Sequence, residues 1–183
     1  MKKKIIGLIF SIVMLTILVA PVMAKPSPKV AVTAIQPTAG ATAGGERWLA
    51  GDNILQIRDG IGGGTVALDI PEIGILTGIT SGTLNIKMKF SEDLSSPEPP
   101  YPMASLVRIV VVNKMVWVFD DSNVKTGTFE GIMHNKVTRL PSPTREAHCV
   151  LQGTGDFEGQ TLVLSSVNPS GAFEWAGFIV MPK

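Results

Sequence analysis

Chemistry in this chain would have to come from two histidines, one cysteine, a few carboxylates and two arginines set among apolar residues. The histidines flank Leu140-Pro141-Ser142-Pro143. If that segment closes a hairpin with Thr138 opposite Thr144, the following rungs pair Lys136 with Glu146, His134 with His148, Ile132 with Val150 and Glu130 with Gln152. The other face then pairs Met133 with Cys149 and gathers Phe129, Val137, Ala147 and Leu151. A slip of one residue would destroy both the apolar face and the opposite-charge rung. This register brings both imidazoles within reach of one ligand, a two-His metal or anion site with Glu130 as candidate helper. A tight transition-metal site wants a third or fourth ligand, and no further His or Cys remains. The plainer reading is a wet outer face with stacked imidazoles, and no cofactor is expected.

The other groups converge less. His148 could activate Cys149 as a nucleophile only if adjacent strand residues pointed the same way, and they point apart. A buried thiol against Met133 is the simpler expectation. Glu130, Asp156, Glu158 and Glu174 each adjoin an aromatic residue that should face inward, so alternation sends the carboxylates to water and disperses them. No catalytic residue is therefore assigned. Arg58 shares parity with Ile54, and Arg108 lies inside the apolar run Leu106 to Val112. Either Arg pairs with a carboxylate such as Asp120, snorkels from an edge, or lines a cavity mouth. In the last case Arg58 and Arg108 would grip an acidic ligand head while Trp117 and Trp175 bracket its apolar body.

The elements that must position these residues carry a period of two. Gly82 to Phe90 alternates Leu84, Ile86, Met88 and Phe90 with Thr83, Asn85, Lys87 and Lys89, a strand with one buried and one wet face. Asn53 to Arg58 and Thr65 to Ile70 read as two strands. Between them, Asp59 to Gly64 reads as a turn; it lacks the Lys-Ser/Thr of a phosphate loop. Ser91 to Pro102, with its four prolines, is a long loop: a lid or partner loop, or simply disordered. Ala104 to Asp120 is one long strand or two joined at Asn113-Lys114. Thr126 to Thr138, Thr144 to Gly153, Gln160 to Ser166 and Ala172 to Met181 complete a list of antiparallel strands at hairpin spacing. Such a list builds an all-β closed barrel or sandwich.

The 183 residues suffice for one domain with a sizeable core. Residues 1–24 read as a signal peptide: Lys2 to Lys4, an apolar run from Ile5 to Val19, and Val22-Met23-Ala24 at the cleavage site. The competing reading is an uncleaved N-terminal anchor, the only route to a membrane here. Residues 25–45, rich in Pro, Ala, Thr and Gly, read as an extended, flexible linker. Residues 46–183 form the domain. Removing the leader leaves 13 basic against 15 acidic residues, a net charge of −2, which argues against a nucleic-acid partner. A single cysteine allows no internal disulfide, which a domain of this size can do without.

The phrases Gly127-Thr128-Phe129-Glu130-Gly131 and Gly153-Thr154-Gly155-Asp156-Phe157-Glu158-Gly159, with His148 to Gln152 leading into the second, are those of a curved, closing sheet. They resemble uncharacterised exported prokaryotic proteins related to the allene oxide cyclase and dirigent barrels. Asn53 to Gly60 and Thr83 to Phe90 fit the same pattern, and the likeness spans about Glu46 to Pro182. The resemblance implies a closed antiparallel β-barrel of about eight strands, calycin-like in shape, in a secreted or cell-surface protein. The plant relatives guide cyclisation or coupling of apolar molecules inside the barrel, but none of their motifs carries a catalytic residue over. The leading expectation is an exported, non-enzymatic barrel binding a small apolar or acidic-headed ligand or a surface partner. The rivals are a cyclase- or isomerase-like barrel acting on an apolar substrate, and a structural cell-envelope or homo-oligomeric module. An interior filled by Met, Phe and Trp would remove both ligand readings and leave the last.

Overall fold

The period of two becomes, in a computed structural model of the chain, one antiparallel sheet of nine strands. The structure describes residues 26–36, 44–121, 124–139, 143–166 and 173–183. The strands are β1 (Lys29–Gln36), β2 (Glu46–Leu49), β3 (Ile54–Ile70), β4 (Gly74–Phe90), β5 (Leu106–Asp121), β6 (Lys125–Thr138), β7 (Thr144–Gly155), β8 (Thr161–Ser166) and β9 (Phe173–Val180). A 3-10 turn, Met103–Ser105, precedes β5. The bonded order is β1-β9-β8-β7-β6-β5-β4-β3-β2, and β1 also pairs with β3. The pairing therefore runs round in a ring, with β2 added beside the first half of β3.

Three expectations change. Residues 29–36 are not tether: β1 pairs with β9 along its whole length and with β3 at Thr33 to Ile35. Val32, Ala34 and Gln36 are buried on one side and Thr33 and Ile35 exposed on the other, an alternation masked by the surrounding linker-like composition. Residues 1–25, carrying the expected signal peptide, and 37–43 of the expected linker lie outside the described residues. Second, Asp59 to Gly64 is no turn. β3 continues through it for 17 residues, with a bulge that shifts the register between Ile57 and Gly60. Asp59, at φ 55°, takes up that extra residue in a left-handed conformation that Asp tolerates. Third, the loop after β4 is fastened. Leu94 N–H donates to Asp52 O at 2.6 Å, Ser91 N–H to Ser105 O at 2.8 Å, and the Tyr101 hydroxyl to Pro97 O at 2.8 Å. The 104–120 question resolves as one strand, because β4 and β6 pair with β5 on both sides through Asn113 and Lys114.

Inside the ring, Phe119, Phe129 and Phe157 pack with centroids 4.6 to 6.4 Å apart, and Trp117, Met115, Met133, Leu151 and Trp175 join the same buried cluster. Removing such side chains from water is the main favourable term in folding. Two of the motif glycines are explained by close approach. A Cβ on Gly131 would run into Val150 O of the neighbouring strand, and one on Gly153 into Phe157 O of the turn after β7, so both close approaches require glycine. A second buried cluster, with Leu55, Ile57, Ile86, Phe90 and Leu106, sits under β2 and the fastened loop, where Leu94 and Tyr101 cover it.

Candidate functional site

Register decides which side chains meet on the outer face. Gln56 pairs with Lys87, Lys87 with Val110, and Val110 with Lys136. The next rung runs Ile54, Lys89, Arg108, Thr138. The bulge in β3 sets Arg58 beside Asn85, and Asp59 N–H donates to Asn85 Oδ1 at 3.3 Å. β2 lays Trp48 opposite Gln56. Together these form a groove of about 320 Å³, with Trp48 and Arg58 at one side, Asn85 and Lys87 in the middle, and Val110 and Val112 as apolar wall.

Positive charge in and beside the groove is only partly compensated. The Arg58 guanidinium lies 5.2 Å from the Trp48 ring centroid and 4.0 Å from Glu46 Oε2, an exposed pair of little strength. Lys87, Lys89 and Arg108 have no carboxylate at ion-pair distance among the described residues. Arg47 binds Glu98 at 3.5 Å and Gly44 O at 3.4 Å, holding β2, and with it Trp48, against the loop after β4. An aromatic plate, two cations and two amides over an aliphatic wall suit a planar or acyl body with an acidic head.

A larger concavity of about 810 Å³ lies lower on the outer face, walled by Ile61, Lys114, Val116, Glu130, Ile132 and Gln152. It has no aromatic plate, and Lys114 and Glu130 oppose each other in sign, so it offers an acidic head less than the upper groove does.

Of the four expected ligand residues, the structure puts only Arg58 in this groove. Arg108 is exposed on a neighbouring rung, two strands from Arg58, and Asp120 stands at the far end of the same strand, so that ion pair does not form. Trp117 and Trp175 are 0% and 1% exposed, on the opposite face of the sheet, where they are core. The expected clamp of two arginines and two tryptophans is therefore not assembled, because strand parity separates its halves. Trp48, Gln56, Asn85 and Lys87 were missed as site residues. The shared parity of Gln56 and Arg58, and of Asn85 and Lys87, was the available signal; the partnership of the two pairs was not.

The hairpin register holds at every expected rung, from Thr138 with Thr144 to Glu130 with Gln152. His134 and His148 stack with centroids 5.2 Å apart, and Lys136 Nζ donates to Glu146 Oε2 at 3.3 Å. Glu130 does not join the imidazoles. It stands four residues along β6, about 13 Å away at the usual strand rise, and accepts from Thr128 Oγ1 at 3.2 Å. Cys149 is fully buried on the inner face, opposite Met133, and burial pushes its thiol up to about 12. Glu130, Asp156, Glu158 and Glu174 are all exposed. No helix of the described residues is long and apolar enough to cross a membrane. No family model, curated protein or solved structure matches the chain.

Proposed function

We propose that the ring is a closed, calycin-like barrel, exported by its leader, that binds a small acidic-headed apolar molecule on its outer flank. The observation that carries this reading is the meeting of Arg58 and Lys87 with the Trp48 ring in one 320 Å³ groove. Its volume lies within the usual range for small-molecule sites, roughly 300–1,000 Å³. Binding needs no catalytic group, and the exposed carboxylates are scattered rather than opposed. The cyclase- or isomerase-like alternative has less support, since Phe119, Phe129, Phe157, Trp117 and Trp175 occupy the interior where such a substrate would sit. The same filling leaves no room for a ligand inside the ring, so the ligand reading rests on the outer groove and its rival is the structural or homo-oligomeric module.

The test is a titration with 1-naphthoate, read by fluorescence. Trp48 is the one reporter expected to respond, because Trp117 and Trp175 are core. Quenching that saturates, is lost in Trp48→Phe, and weakens about tenfold or more in the Arg58→Ala/Lys87→Ala double variant is the expected outcome. Equal binding of naphthoate and its uncharged carboxamide would overturn the acidic-head reading. Export has its own check. N-terminal sequencing of the protein recovered from the culture medium or cell surface should begin at Lys25, and a chain retaining Met1 would overturn cleavage.

A further inference from the structure

The β6–β7 hairpin carries a pair of donors that the groove does not use. His134 and His148 are direct cross-strand partners, their rings 5.2 Å apart between centroids and within 17° of parallel. Both are exposed. Among the described residues neither is in an ion pair, and the nearest rung carboxylate, Glu146, is occupied by Lys136 at 3.3 Å. The backbone beneath them is held on both sides, since β6 also pairs with β5 and β7 with β8. On the same face the Thr128 and Thr154 hydroxyls bond at 2.8 Å, tying the other end of the hairpin.

We propose that His134 and His148 form a surface site for a divalent transition metal that favours imidazole, copper(II) foremost. Directly opposed residues of an antiparallel pair have Cβ atoms about 5 Å apart. A small rotation of each ring would bring one nitrogen from each to about 3 Å, the span of two bonds of about 2.1 Å at a right angle. The pair is thus a bidentate chelate whose strands need not move. Among the described residues no group of three or more His, Cys, Asp or Glu is clustered for a metal, so water or a small ligand fills the other positions. Two imidazoles with open positions make a labile site, not a structural zinc centre, and copper(II) binds such nitrogen sites more strongly than nickel(II) or zinc. Metal competes with protons for the same nitrogens, so binding weakens in acid. The site is independent of the groove reading: it uses other residues on other strands.

The experiment is a titration of the whole chain with copper(II) sulfate, followed by calorimetry and electron paramagnetic resonance. One equivalent should bind, with hyperfine structure from two imidazole nitrogens. Single His134→Asn or His148→Asn variants should each weaken binding about tenfold or more, and the double variant should lose the two-nitrogen signal with an unchanged circular dichroism spectrum. In the unaltered protein, trace copper(II) should selectively broaden both histidine imidazole resonances, a reading that requires no variant to fold. No binding by the unaltered chain, or an unchanged signal and affinity in the double variant, would overturn the proposal. So would broadening that spares the two imidazoles.

Discussion

Cys149 shows how far one residue can be read before its surroundings are known. Its parity in the hairpin register put it opposite Met133, and full burial then withdrew it from nucleophilic chemistry. Burial raises the thiol from an ordinary value of 9.0 to about 12, so the folded protein keeps its proton where the unfolded chain has lost it. This contribution is fully present below about pH 9 and is lost as pH rises towards 12. Two outcomes follow. Native protein at pH 8 should resist iodoacetamide and react only on unfolding. Denaturant titrations should also show stability falling by up to about 1.4 kcal/mol per pH unit in that window, with a shallower fall in Cys149→Ala. The arginines and tryptophans teach the converse. Their residue types were right for gripping an acidic ligand, but Arg58 and Arg108 lie outside while Trp117 and Trp175 lie inside. What a side chain can touch is set by its face, and a lone Trp or Arg does not announce its face.

At the level of strands, legibility followed the strength of alternation. β6 and β7 were readable to the rung because a charge pair, two histidines and two apolar partners all change face together on a slip. β3 was not, because its glycines mimic a turn while the backbone runs on through a bulge. β1 was missed for a different reason: eight residues of modest alternation stand beside a Pro/Ala/Thr/Gly stretch, and its partners β9 and β3 are remote in sequence. Close approach at the motif glycines gives the sharpest check on the strands. In Gly131→Val the new side chain meets Val150 O and the Leu151 backbone, which cannot retreat without breaking the β6–β7 ladder. Thermal unfolding should show a loss of about 2 kcal/mol or more, whereas Ile132→Val next to it, exposed on the outer face, should shift stability by less than about 0.5 kcal/mol.

For the whole molecule, charge is arranged rather than merely summed. The net charge of +1 for the chain gives no hint of a basic flank, yet register gathers Arg58, Lys87, Lys89 and Arg108 on the outer rungs of β3 to β5. Glu46 and Asp59 sit beside Arg58, and Glu146 holds Lys136, so the excess positive charge here comes from Lys87, Lys89 and Arg108. An anion approaching the groove therefore meets a locally positive field that salt should screen, with a Debye length near 10 Å at 0.1 M and 3 Å at 1 M. Naphthoate affinity should accordingly fall several-fold between about 0.05 and 0.5 M sodium chloride. A salt-independent affinity would show that the apolar wall alone holds the ligand. The amino-acid order by itself determined the all-β class, the β6–β7 register, the inward phenylalanines and the wet carboxylates, because each depends on a period of two that neighbouring residues enforce. Only the tertiary structure decided that β1 bonds both β9 and β3, that β3 is one strand, and that Trp48, Arg58 and Lys87 share a groove. Those facts rest on pairings between distant segments, and the energy of such pairings belongs to no single stretch of chain.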